Sequence, residues 1–256
     1  MKRARVLLVE DDASIRRYVG MALRDLPLDL VEAGTLHAAR QALASDSYAL
    51  LLLDLMLPDG NGLALLAELQ AESTLRGPAR TVVFSAGVSG AVRERVMALG
   101  AWQVLDKPVA LAALVGCVEQ ALAGPDPPTP TPSPSPSPSP STESALQRGE
   151  GSPAMARTAA IAAHFAGHAG LYDSFRAASV AQFDADIAEA DAACLRPDLA
   201  ALRRQAHNLK TVLLLLGAED ASAQARALEN AAAGATTMTA LLPLWQTLRS
   251  VVRSLR

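Results

Sequence analysis

Residues 124–145, GPDPPTPTPSPSPSPSPSTESA, constrain the organisation of this chain more than any other stretch. Proline alternates there with serine and threonine, and no large apolar side chain offers a hold for a core. Proline removes backbone donors and fixes φ, so such a segment favours extended polyproline II and stays solvated. At ~3.1 Å per residue it spans roughly 60 Å when fully extended. QRGEGSP continues the same character, so the sequence predicts a Pro/Ser-rich linker over 124–153 between one domain at 1–123 and another at 154–256.

The two flanking regions carry different periodicities. Ahead of the linker, RVLLV (5–9), LDLVEA (28–33), ALLLL (49–53), RTVVF (80–84) and AWQVL (101–105) read as strands. Amphipathic stretches lie near 14–26, 35–45, 62–72, 89–99 and 109–122. Continuous apolar strands separated by helices imply an α/β doubly wound fold, a five-stranded parallel sheet covered on both faces. Beyond the linker, residues 156–256 are Ala/Leu-rich with helical spacing, broken at Gly170, Pro197, Gly217, Gly234 and Pro243. That pattern predicts an all-α helical bundle.

At 256 residues the chain can bury two modest cores, and half of its residues are apolar. A formal net charge of -3 gives no bulk reason to expect a nucleic-acid partner. The opening MKRARVLLVEDD has too short an apolar run for a signal peptide, and no run reaches the ~18 residues of a membrane span. A cytoplasmic protein is expected. Cys117 and Cys194 stand apart in predicted helices, which disfavours a disulfide or a zinc site.

In an open parallel sheet, ligands bind just beyond the carboxyl ends of the strands. Four such ends carry unusual polar residues: Glu10 and Asp11 after the first, Asp54 at the third, Ser85 at the fourth and Lys107 after the fifth. This set suits phosphoryl transfer to a carboxylate. Asp54 can attack phosphorus and form an acyl phosphate. Three clustered carboxylates repel one another unless a hard dication lies between them, and Mg²⁺ takes oxygen ligands and bridges to phosphate. Lys107 then offers a point charge, and the Ser85 hydroxyl a hydrogen bond, to the phosphoryl oxygens.

VLLVEDD, LLLDLMLPDGNG, VVFSAG and VLDKP resemble, in order, the motif blocks of response-regulator receiver domains. Their spacing matches too, with 31 residues from Asp54 to Ser85 and 22 more to Lys107. The resemblance spans residues 4–122 and implies a flavodoxin-like receiver. It also implies a metal held by Asp11, Asp54 and the backbone carbonyl of Met56, with Glu10 acting through water and Asp12 outside the pocket. Val104 stands where the family carries an aromatic residue, which bears on how phosphorylation is broadcast but not on phosphate capture.

In the second region, Leu199, Leu202, Ala206, Leu209, Leu213 and Leu216 form a core-facing stripe, and His207 is off it. Arg203, Arg204, Lys210 and Thr211 are its neighbours at three and four residues, so an exposed imidazole amid cations is expected. Such a ring suits phosphate acceptance better than metal binding, with the cations offsetting the incoming charge. AHNLKTVLLLLGA resembles the signature of histidine-containing phosphotransfer domains, with Thr211 in place of the family's usual glycine. LEN (228–230) and the acidic helix FDADIAEADAA (183–193) fit the same family. His164 and His168 have a metal-like spacing but no evident third ligand, and His37 stands alone.

With no ATP-binding module in view, phosphate must arrive from another protein or a small phosphodonor. The expected partners are a sensor or hybrid histidine kinase and a downstream response regulator. A methionine just ahead of the first strand leads us to expect no kinase module before it. The sequence thus predicts a phosphotransfer protein rather than an enzyme. Asp54 accepts the phosphoryl group, and His207 exchanges it with a receiver aspartate. The direction of flow is left open. A sequestering module working without phosphorylation, and a phosphate sink draining another relay, are the alternatives.

Overall fold

A computed structural model describes residues 3–72, 77–85, 90–123 and 153–256. The predicted linker at 124–152 lies outside the described residues, and Pro153 begins a helix. The first half alternates strand and helix: β1 (Ala4–Val9), α1 (Ala13–Leu23), β2 (Leu28–Ala33), α2 (Leu36–Ser45), β3 (Leu50–Asp54), α3 (Gly62–Ala71), β4 (Arg80–Ser85), α4 (Gly90–Ala98), β5 (Gln103–Asp106) and α5 (Leu111–Leu122). The five strands are parallel in the order β2-β1-β3-β4-β5, the doubly wound order that reverses between β1 and β3. The sequence does not announce the small antiparallel hairpin Met56–Leu57/Gly60–Asn61 just after β3.

Side chains alternate along each strand, so the sheet has two apolar faces. Val6, Leu8, Leu50, Leu52, Val82 and Phe84 meet α1 and α5 on one side. Leu7, Val9, Leu51, Leu53, Val83 and Val104 meet α2, α3 and α4 on the other. Helix starts carry their own signals. Asp12, Thr35 and Asn61 accept the amides of Ile15, Ala38 and Leu63 and so cap α1, α2 and α3. Asp12 is thereby committed to a helix cap.

The second half is all helical: α6 (Pro153–His164), α7 (Ala169–Leu195), α8 (Leu199–Leu215), α9 (Glu219–Gly234), a short 3-10 turn (Met238–Ala240) and α10 (Leu242–Ser254). Two breaks differ from expectation. The α6–α7 turn is made by Ala166 and Gly167, both at positive φ, and Gly170 lies inside the first turn of α7. Pro243 opens α10, where its missing amide costs nothing. Gly217 ends α8 at φ +77°, and a Cβ there would lie 2.7 Å from the Ala156 carbonyl oxygen, so only glycine lets α6 come this close. No helix among the described residues is long and apolar enough to cross a membrane.

The halves share one apolar core. The α1–α5 face of the sheet continues through Tyr18 into Phe165, Tyr172 and Phe175 of the bundle and on to Leu202, Leu213 and Trp245. Tyr18 is 2% exposed, and its ring meets Phe165 edge-on at 5.5 Å and Phe175 at 5.7 Å.

Candidate functional site

The carboxyl edge of the sheet gathers the predicted acids. Glu10 follows β1 and Asp54 ends β3; both are fully buried, and with Asp11 their oxygens lie within 4.8 Å of one another. The Lys107 ammonium bridges two of them, donating to Glu10 Oε2 at 2.6 Å and Asp54 Oδ2 at 2.8 Å. Its backbone is fixed by a 2.6 Å bond from Lys107 N to the Ser85 carbonyl at the end of β4. Ser85 itself is buried at the pocket's edge. Met56 contributes its amide, 3.3 Å from Asp54 Oδ1.

Crowding sets the titration of this cluster. Burial, with added repulsion from Asp54, pushes Asp11 up to about 6. Glu10 is raised as well, by burial and by the charges of Asp54 and Asp11, against the pull of Lys107. Burial opposes the Lys107 charge, but Asp54 and Glu10 outweigh it and hold the ammonium above its ordinary range.

Gly62 makes the pocket possible from behind. A Cβ at Gly62 would lie 2.3 Å from the Asp54 carbonyl oxygen, and the Gly62 amide donates to Leu55 O at 2.9 Å. Only a residue without a side chain lets α3 start this close to the end of β3.

A second polar centre lies in the bundle. His207 Nδ1 is 2.7 Å from Glu229 Oε1, and Glu229 Oε2 accepts from Lys210 Nζ at 2.6 Å. Burial works against the Glu229 carboxylate, but the bonds from His207 and Lys210 prevail and lower it to about 2. A carboxylate held ionised has no proton to give, so Nδ1 carries the hydrogen of this bond. Nε2 is buried without a hydrogen-bond partner among the described residues.

The expected exposed imidazole is corrected here: His207 is 4% exposed. The helix face that reads as solvated lies against the first half of the chain. Arg204 pairs with Asp11 at 3.3 Å and with Glu189 at 3.5 Å. The Asn208 amide reaches Asp11 Oδ2 at 3.4 Å, and Thr211 is buried beside Lys107 in a small apolar cavity with Ile15 and Phe84. Arg203 is exposed and forms no ion pair among the described residues.

The structure therefore brings Glu10, Asp11, Asp54, Ser85 and Lys107 together at one edge, and places Arg204 against Asp11 and Lys210 against Glu229. Asn208 and Tyr18 have no role in the sequence reading, and Glu229 enters it only within LEN (228–230), with no part assigned to its side chain. For Glu229 a signal exists: it follows Leu228 in the apolar register Ala221, Ala225, Leu228, Ala232 of α9, an acid at the rim of a buried face. His164 and His168 join no metal-binding cluster among the described residues. His37 is exposed, and its backbone amide bonds Asp59. Burial pushes the Cys117 thiol up to about 12, as befits a core residue.

Residues 6–119 match the response regulator receiver domain. Over 124 residues the chain is 36% identical to the response regulator protein PilR of Pseudomonas aeruginosa, covering 48% of this chain and 27% of that protein. It is 31% identical over 128 residues to the KDP operon transcriptional regulatory protein KdpE of Escherichia coli, covering 48% of this chain and 55% of KdpE. The chain thus spans about a quarter to half the length of these two relatives. A signal receiver domain of a LuxO repressor protein from Vibrio parahaemolyticus aligns at 29% identity with a TM-score of 0.45, over 48% of this chain and 92% of that one. The first half of the chain is a receiver domain homologous to two-component response regulators.

Proposed function

We propose that this chain is a two-component phosphorelay protein of the cytoplasm, with Asp54 and His207 as its two phosphoacceptors. The observation that carries the reading is the buried carboxylate cluster bridged by Lys107 at the carboxyl edge of the receiver sheet. Three acids sharing one ammonium are costly to bury, and such a cluster in a cleft marks a functional site.

The donor set fits Mg²⁺. Glu10, Asp11 and Asp54 supply hard oxygens, and Asp11 Oδ1 is buried without a hydrogen-bond partner among the described residues. These residues, with the Met56 carbonyl, would hold the ion, whose charge offsets the carboxylates and the phosphoryl oxygens. The chain's own part is positional. Asp54 attacks phosphorus, and the donor's bond to phosphorus breaks as the acyl phosphate forms. Lys107 shifts from its carboxylate partners to a phosphoryl oxygen, and Ser85 offers its hydroxyl to another.

In the bundle, Glu229 fixes the proton on Nδ1, which leaves the neutral His207 ring with its lone pair on Nε2. Lys210 and Arg204 supply positive charge nearby. A sensor or hybrid histidine kinase, or a small phosphodonor, supplies Asp54, and a response regulator aspartate exchanges with His207. The chain acts as a phosphotransfer protein rather than an ATP-using enzyme.

Labelling with a small radioactive phosphodonor tests this. Asp54→Asn is expected to lose hydroxylamine-sensitive label and His207→Ala to lose base-stable label. If both variants label like the parent chain, the reading is wrong.

A further inference from the structure

We infer that Asp54 and His207 are each other's phosphotransfer partners within one molecule, because the bundle docks its α8 face on the acid pocket of its own receiver. This rests on the relay reading above and names the partner that each acceptor serves.

The first observation is the apolar anchor. Tyr18 leaves α1 and is enclosed by Phe165 and Phe175, both fully buried, and Tyr172 packs edge-on against Phe165. Its hydroxyl lies 2.8 Å from the Val109 carbonyl of the receiver and 3.1 Å from the His164 carbonyl of the bundle. Aromatic side chains closed over at a seam, with ion pairs beside them, have the make-up of a specific interface. Separating the halves would take the Tyr18 ring out of this cluster and into water.

The second observation is what the anchor brings together. On α8, Arg204 and Thr211 stand at i−3 and i+4 from His207, its neighbours on the helix surface, and Asn208 is the next residue along the chain. Arg204 and Asn208 bind Asp11, and Thr211 shares a cavity with Lys107, which itself holds Asp54. The immediate neighbours of His207 are therefore seated on the immediate neighbours of Asp54. His207 Nε2 and Asp11 Oδ1 are both buried without hydrogen-bond partners among the described residues. Buried polar atoms left in that condition call for an explanation, and an incoming phosphoryl group supplies one.

The step balances without a further reactant. The Nε2 lone pair forms a bond to phosphorus as the bond from phosphorus to the Asp54 oxygen breaks. The electron pair of that bond returns to the carboxylate. The proton on Nδ1 stays in its bond to Glu229, which offsets the positive charge gained by the ring. The reverse step restores the acyl phosphate. Because both acceptors belong to one chain, the exchange is unimolecular and needs no encounter.

The test uses the full chain labelled at Asp54 with a small phosphodonor and then freed of it. The expected result is base-stable label on His207 that appears at a rate unchanged over roughly 100-fold dilution. An excess of unlabelled Asp54→Ala chain, which offers only its histidine, is expected to capture little of that label. Tyr18→Ala and Arg204→Glu, at the apolar anchor and the charged rim, are each expected to slow internal transfer about 10-fold or more. The second variant keeps the test sound if the first fails to fold. A rate that falls with dilution, or label captured mainly by the Asp54→Ala chain, overturns the inference while leaving the relay reading intact. Internal rates untouched by both variants overturn it as well. A chain that labels Asp54 but never His207, alone or in mixtures, removes the relay reading along with it.

Discussion

His207 Nδ1 lies 2.7 Å from Glu229 Oε1, in a buried pair drawn from neighbouring helices of the bundle. The same carboxylate holds Lys210, so one acid sets the ring's proton and stations a cation three residues along α8.

Removing that acid frees the ring to turn. Glu229→Ala is expected to slow phosphohistidine formation roughly 10- to 100-fold, the loss of a charged hydrogen bond worth ~1.5–3 kcal/mol. Nitrogen NMR of the His207 ring checks the cause, because the variant should show a mixture of tautomers where the parent chain shows one. An unchanged ring spectrum beside a slowed rate points instead to lost packing.

Acid should reveal the same pair. Glu229 drops from 4.5 to about 2 in the folded bundle, so its ionised form favours folding. That contribution is complete above about pH 4.5 and disappears as pH falls through about 2. By linkage it amounts to roughly 3 kcal/mol. Unfolding of the parent and Glu229→Gln chains, followed by helical circular dichroism across this range, is expected to diverge near pH 5 and converge toward pH 2. A constant gap across the range contradicts the assignment.

Lys107 stabilises two buried acids at once. Lys107→Met leaves Glu10 and Asp54 without their counter-charge, at a cost of roughly 3–5 kcal/mol when both are ionised. The deficit is expected to shrink as the pH is lowered and Glu10, already raised by burial, takes up a proton. Thermal melts at two pH values measure this, and labelling of Asp54 should fall in parallel.

At Gly62 the expected defect is steric. A methyl group there would stand 2.3 Å from the Asp54 carbonyl oxygen, so β3 or α3 must shift. Gly62→Ala is expected to lose roughly 1–3 kcal/mol of stability and to slow labelling of Asp54. Denaturant unfolding and the labelling rate report the two effects separately.

Much of the receiver is legible in its sequence because strands buried on both faces must be apolar throughout. Polar residues at their carboxyl ends therefore stand out, as Glu10, Asp54 and Lys107 do. Element ends shift by only a few residues, as where β5 begins at Gln103 rather than Ala101. The bundle is less legible. Periodicity locates the stripe Leu202, Ala206, Leu209 and Leu213, but a polar face set against another domain has the same pattern as one set against water. His207, Asn208 and Thr211 are buried for a reason that lies some one hundred to two hundred residues away in sequence, at Lys107 and Asp11. Glu229 lies at the rim of a legible apolar register, but that register does not name His207 and Lys210 as its partners.

Tyr18 belongs to α1 by sequence and to the bundle by packing. The two halves are therefore not interchangeable modules. A foreign receiver grafted ahead of this bundle would need an aromatic ring at the same place on its first helix. Without one, Phe165 and Phe175 would each lose an edge-on aromatic partner, and the seam would be left underpacked. One side chain of the receiver thus completes the packing of the bundle.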